Sequence, residues 1–398
     1  MRRRIGRSTP WRVPVKIPVS RRCLQVTPFL AMEVMEQARA LEAAGREIIY
    51  LCLGEPDFPT PGPVLEAAIA AMRGGATSYT HSLGLLELRE AISAHYRQRY
   101  RVDVDPGRIL VSAGTSPLML MLFSALLEAG DEVILPDPGY SCYPNFIRFA
   151  EGNPVWLRTR VEDGFQPRLE DVRGLLTPRT RGVLINSPSN PVGTVLSGVQ
   201  LERLAALPVP VISDEIYHGL TYQGEERSIL EFTEEAFVFG GFSKTYAMTG
   251  WRLGYLIAPP SFIRPLQSLH QNFMICANHF VQRAGIAALT ECRQELEYMR
   301  KSYDARRRYL VQRLSDLGLP VAGQPVGAFY ALADARHLDG DSKRLALDIL
   351  EATGVALTPG IDFGAGAEGY LRFTYANSLP NLKKALDRLE IFLRQRVG

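Results

Sequence analysis

From Ile109 onward, short β-rich apolar runs alternate with stretches of helical periodicity, and this alternation constrains the fold more than any other feature. Strands joined by helices pair in parallel, because each crossover returns the chain to the same edge of the sheet. The strand candidates are residues 109–112, 132–135, 182–185, 209–213, 237–240 and 253–257. The expectation is an α/β fold with a mostly parallel central sheet wrapped by helices. The longest apolar run, from Pro117 to Leu127, is far too short to cross a bilayer and reads as a core helix. Residues 63–73 begin with Pro and end before Gly74-Gly75, the expected asymmetry of a helix.

After about residue 291 the texture changes to a charged helical stretch reaching Leu317, followed by short strands near 328–332, 355–358 and 370–373. A helix over 29–44, stopped by Gly45, is expected to pack on this second α/β lobe. The small domain would then comprise residues 19–48 and 291–398, built from both chain ends, and the large domain residues 49–290. A chain of 398 residues suits two lobes that share one site.

Composition excludes several function classes. Hydrophobic residues at 46% and charged residues at 22% describe an ordinary globular protein. The formal charge of +3 arises in residues 1–22, which hold eight basic residues and no acid. Removing those eight from the 45 Lys and Arg leaves 37 against 42 Asp and Glu, so the body is mildly acidic and unsuited to nucleic acid. The basic leader (residues 1–18) reads as a disordered overhang, since Pro10, Pro14 and Pro18 break the amphipathic helix of a transit peptide. Five scattered cysteines, never spaced as a zinc or redox pair, fit a reducing cytoplasmic compartment and offer no metal site.

Chemistry-bearing strings follow one another along the chain. Gly54 lies in Leu53-Gly54-Glu55-Pro56-Asp57-Phe58, and Tyr79 in Ser78-Tyr79-Thr80-His81. Gly114-Thr115-Ser116 sits between a strand and an apolar helix, where free amides and positive potential suit a phosphate. Tyr140 lies in Pro138-Gly139-Tyr140-Ser141-Cys142-Tyr143-Pro144, and Asn190 in Asn186-Ser187-Pro188-Ser189-Asn190-Pro191. Asp214 and Tyr217 lie in Ser213-Asp214-Glu215-Ile216-Tyr217, after an apolar strand whose carboxyl end is where ligands bind in such sheets. Phe242-Ser243-Lys244-Thr245-Tyr246 leads to Gly250-Trp251-Arg252-Leu253-Gly254-Tyr255, and Arg372 lies in Tyr370-Leu371-Arg372-Phe373. Taken singly, each is commonplace: a turn lysine, an N-cap aspartate, a core tyrosine, a surface arginine.

In this order and spacing the strings resemble the class I/II (fold-type I) pyridoxal-phosphate-dependent aminotransferases. The nearest branch is that of bacterial aspartate aminotransferases, and the resemblance runs from about Val19 to the C-terminus. It implies that Lys244 holds the cofactor and then carries the substrate's α-proton, and that Asp214 keeps the pyridine nitrogen protonated. It further implies that Tyr217 and Asn190 share the cofactor's 3′ oxygen and that Tyr140 stacks on the ring. Gly114, Thr115, Ser116, Ser243 and Arg252 would bind the phosphate. Arg372, with Asn190 and the Gly54 backbone, would bind the substrate carboxylate. Tyr79 would reach the phosphate of a neighbouring subunit, making the enzyme a homodimer with shared active sites.

The implied reaction moves the amino group of an L-amino acid to a 2-oxo acid such as 2-oxoglutarate in a ping-pong cycle. Many dicarboxylate-specific members of the branch carry lysine and glutamine where this chain has Ser116 and Pro117. That leaves aspartate, alanine and aromatic donors all open. Relatives with the same cofactor residues catalyse C–S β-lyase or cyclopropane-forming chemistry, which is the alternative. A pyridoxal-binding regulator fits worst, because 22 basic, proline-interrupted residues make no helix-turn-helix domain.

Overall fold

The computed structural model describes residues 17–397; the first 16 positions of the basic leader lie outside that range. Seven strands form the main sheet: β1 (Ile109–Ser112), β2 (Glu132–Asp137), β3 (Asn153–Arg158), β4 (Thr180–Asn186), β5 (Val211–Asp214), β6 (Ala236–Gly241) and β7 (Gly254–Ile257). Their order across the sheet is β1-β7-β6-β5-β4-β2-β3. Only β7 runs antiparallel to its neighbours; the other pairings are parallel.

Alternate residues of each strand point to opposite faces, and both faces are apolar here. Ile109, Val111, Val183, Ile185 and Val238 join one buried cluster with Val64, Leu88, Ile92 and Ala284 of the helices Gly62–Arg73, Leu86–Tyr100 and His279–Glu291. Leu110, Leu184, Phe237 and Phe239 join another with Leu118, Leu122 and Phe123 of the helix Thr115–Leu126. Burial on both sides explains why these strands read as continuous apolar runs.

The strand β3 is absent from the sequence reading. It is an edge strand, exposed at Asn153 and Arg158, and Pro154 sits in it at no cost to a neighbour. Its apolar residues 154–157 begin with the proline of an Asn-Pro pair, which reads as a turn and masks the strand.

The chain ends meet in a second α/β layer. Tyr370–Thr374 is the middle strand of an antiparallel trio with Tyr330–Asp334 and Thr358–Pro359, while Ile49–Tyr50 pairs in parallel with Val355–Ala356. Helices Arg293–Asp316, Ser342–Thr353 and Leu379–Val397 cover this layer, and Leu30–Ala43 packs against it through Val34, Met35 and Ala38. Among the described residues, no helix is long and apolar enough to cross a membrane.

The helix Leu30–Ala43 has no side-chain cap of its own. Asp362, more than three hundred residues away, supplies one: its carboxylate accepts from Leu30 N at 2.8 Å and Ala31 N at 3.3 Å. Asp362→Ala removes this cap and is expected to cost about 1 kcal/mol of stability. Urea unfolding reads this as a lower midpoint at unchanged slope, and an unaltered midpoint would show the cap to be dispensable.

Candidate active site

The carboxyl ends of the parallel strands gather at one edge of the sheet. Register places Ser112 and Gly241 beside Gly254, and Asn186 beside Asp214. Beyond Gly241 the chain turns sharply, with Ala247 and Arg252 in left-handed conformation at φ 50° and 55°. The indole of Trp251 donates to Thr60 Oγ1 at 2.9 Å, and that hydroxyl donates to the Ala247 carbonyl at 2.8 Å. Thr245 is pinned in turn, its hydroxyl donating to the His218 carbonyl.

This frame holds Lys244, whose Nζ donates to the Gly54 carbonyl at 2.5 Å. Burial lowers the amine to about 8; the Arg372 and Arg252 guanidiniums push the same way, while Glu55 and Asp214 oppose them.

Asp214 ends β5 and is buried. Its Oδ2 accepts from the Tyr143 hydroxyl at 2.5 Å and its Oδ1 from Ile216 N at 3.2 Å. Burial raises the carboxyl to about 6, despite those two hydrogen bonds. Among the described residues no basic side chain lies within ion-pair distance of it, so a protonated ring nitrogen would supply the missing positive charge. Tyr143 went unnoticed in the sequence. It stands three positions after Tyr140 in the same string, and their rings meet edge to face at 5.2 Å.

Gly114, at φ 91°, opens the helix Thr115–Leu126, whose first turn carries no acid and has no side-chain cap. A Cβ on Gly114 would sit 2.6 Å from Arg252 Nη2, and one on Gly254 would sit 2.9 Å from Thr115 N. Glycine at both positions therefore lets the guanidinium and the free amides come together. Thr115 is half-buried, Ser116 exposed and Ser243 buried. A dianionic phosphate fits this combination of helix N-terminus, hydroxyls and arginine.

Arg372 is 2% exposed. Nη1 donates to Asn190 Oδ1 at 3.0 Å, and Nη2 donates to the Cys52 carbonyl at 2.5 Å and Thr358 Oγ1 at 3.1 Å. Its Nε is buried with no acceptor, which an anionic substrate would answer. Tyr217 is buried beside it, its hydroxyl 2.9 Å from that of Tyr330. A Cβ on Gly54 would come within 2.0 Å of the same Tyr330 hydroxyl, so only glycine fits there. Cys52, Thr358 and Tyr330 carried no signal in the sequence, because their proximity to Arg372 is purely tertiary. Tyr79 stands apart from this constellation at 79% exposed.

An amine lowered to about 8 leaves roughly a tenth of Lys244 neutral at pH 7, against well under 0.1% for an ordinary lysine. The rate at which the cofactor-free protein captures an aromatic aldehyde should therefore climb to near pH 8 and level off. A rate still rising tenfold per unit at pH 9 would contradict the lowered value.

Comparison with known proteins agrees with this geometry. The sequence profile described as aminotransferase class I and II matches residues 46–389. The chain is 39% identical to the (5-formylfuran-3-yl)methyl phosphate transaminase of Methanocaldococcus jannaschii over 382 residues, covering 95% of this chain and all of that one. It is 40% identical to the aspartate/prephenate aminotransferase of Thermus thermophilus over 378 residues, covering 93% and 97%. The crystal structure of Thermus thermophilus aspartate aminotransferase with maleate superposes with a TM-score of 0.91 at 38% identity, covering 94% of this chain and all of that one. None of these relatives favours the lyase alternative. With a matching fold and near-complete coverage, the chain belongs to the class I and II aminotransferases, pyridoxal-phosphate-dependent enzymes that carry out transamination.

Proposed function

We propose that Lys244, Asp214 and Arg372 are the working groups of this aminotransferase, each acting on a different part of the bound amino acid and cofactor. The observation that carries the reading is their convergence: Lys244 donates to the Gly54 carbonyl and Arg372 to the Cys52 carbonyl two residues before it, while burial lowers the Lys244 amine between Arg372, Arg252 and Asp214. Pyridoxal phosphate supplies an aldehyde carbon for the substrate's amine and an electron-withdrawing ring that makes the α-hydrogen acidic. Arg372 and the Gly54 backbone hold the α-carboxylate, and Asn190 steadies the guanidinium. Fixing the carboxylate chooses which bond at Cα is broken. The neutral form of Lys244, which burial favours, takes the proton from Cα and returns it on the other side of the exchange. Asp214 keeps the ring nitrogen's proton in place, and the Tyr143 hydroxyl keeps Asp214 ionised. Tyr217 and Asn190 donate to the 3′ oxygen, and Tyr140 covers the ring. Gly114, Thr115, Ser116, Ser243 and Arg252 bind the phosphate. In the second half of the ping-pong cycle a 2-oxo acid such as 2-oxoglutarate takes the amino group.

For the donor, the reading is an amino acid with an uncharged side chain. Relatives are named for aspartate, prephenate and aromatic substrates. Here Ser116 and Pro117 offer no cation to a distal carboxylate, and Phe29 meets Tyr140 edge to face at 6.1 Å to make an apolar wall. Single half-reactions followed by visible absorption test both parts. Phenylalanine or alanine should outrun aspartate, and the reverse order would overturn the donor assignment. Asp214→Asn should lose most of the rate, whereas Arg372→Ala should act mainly on apparent affinity, by about a hundredfold; a near-normal Asp214→Asn rate would remove Asp214 from the mechanism.

A homodimer completes the reading, with residues 49–290 as the large domain, save that Ile49–Tyr50 pair into the smaller layer, and residues 19–48 with 291–398 as the small one. Tyr79, Phe273 and Ile275 are exposed, and Thr80 N donates to Cys276 Sγ, so these side chains form one apolar area fit to meet a second copy. Tyr79 would then reach the neighbouring subunit's phosphate. Sedimentation should give twice the 44.3 kDa chain mass; a fully active monomer would rule out shared sites.

A further inference from the structure

Tyr330 touches three parts of the site at once. Its ring lies under the Arg372 guanidinium, centroid to Cζ 4.4 Å, with Phe363 also contacting that group at 4.8 Å. Its hydroxyl is 2.9 Å from the Tyr217 hydroxyl and fills the space a side chain at Gly54 would need. It is 1% exposed and sits on the strand next to that of Arg372, two positions from direct register.

Ordinary core packing does not account for these contacts. Two nearby phenols end on backbone carbonyls, half-buried Tyr222 on that of Ala328 and buried Tyr375 on those of Gly327 and Ala328, the usual way to satisfy a hydroxyl. Tyr330 instead directs its hydroxyl to another side-chain hydroxyl, a partner that can rotate and re-pair. The ring beneath Arg372 is a desolvated cation–π contact, which resists tilting of the planar guanidinium.

We propose that Tyr330 is a positioning residue that couples the two halves of the site: its ring sets the plane of Arg372, and its hydroxyl sets the direction of the Tyr217 hydroxyl. The inference rests on the roles given above to Arg372 and Tyr217. The two functions reside in different atoms of one side chain, so they separate on substitution.

Tyr330→Phe keeps the ring and loses the hydroxyl. It should leave KM for the amino donor within about twofold of the parent, yet move the pH midpoint of the holoenzyme's visible absorption by about half a unit, the worth of one hydrogen bond. Tyr330→Leu loses both, and should add a rise of about tenfold in KM for donor and 2-oxo acid alike. Tyr330→Met is measured beside it, so that a folding failure in one leaves the other. Thermal melting of each variant separates general destabilisation from these shifts.

A parent-like absorption midpoint in Tyr330→Phe would overturn the coupling to Tyr217, and a parent-like KM in folded Tyr330→Leu or Tyr330→Met would overturn the coupling to Arg372. Tyr217→Phe distinguishes this inference from its foundation. If it shifts the midpoint while Tyr330→Phe does not, only the inference falls; if neither does, the role of Tyr217 falls with it.

Discussion

Removal of water from three charged groups in one crevice governs the rest of the structure. Burial moves Lys244 toward its neutral form and Asp214 toward its protonated one. Each shift would weaken the fold were the groups not so densely supported. Asp214 has Tyr143 and a backbone amide; Arg372 has three acceptors and two aromatic rings; Lys244 has a carbonyl. The surrounding architecture serves these contacts. Strands end at Asp214 and Asn186, a helix begins at Thr115 beside Arg252, and glycines stand where two groups approach closely.

The site draws on separate parts of the fold with different tolerances. The main sheet supplies Asp214 and the loop bearing Lys244 from strands covered on both faces, a rigid setting for both groups. The smaller antiparallel trio supplies Arg372. Lys244 and Asp214 on one side and Arg372 on the other thus sit on different sheets, joined by the segment Leu51–Gly54 and by the hydroxyls of Tyr217 and Tyr330.

Much of this was legible in the sequence. Six strands of the main sheet announced themselves because doubly buried strands must be apolar throughout, and the order of motifs singled out Lys244, Asp214, Asn190 and Arg372, of which the last two meet at 3.0 Å. The edge strand β3 did not, since its apolar residues 154–157 begin with the proline of an Asn-Pro pair that reads as a turn. Nor did Tyr143, Tyr330, Cys52 or Thr358. A buried tyrosine looks alike whether its hydroxyl meets a carbonyl or a buried carboxylate, and Cys52 contributes only its backbone oxygen to Arg372. Such contacts follow from how distant segments come together, which neither periodicity nor spacing encodes.

The pairing of Ile49–Tyr50 with Val355–Ala356, and of Arg372 with the Cys52 carbonyl, joins segments some three hundred residues apart. A ribosome making this chain delivers the phosphate loop, Asp214 and Lys244 long before it delivers Arg372. The segment around Cys52 must wait for its partner through almost the whole of translation, and closing so long a loop has an entropic cost. The surroundings of Arg372 are therefore the last part of the crevice that the newborn polypeptide can close.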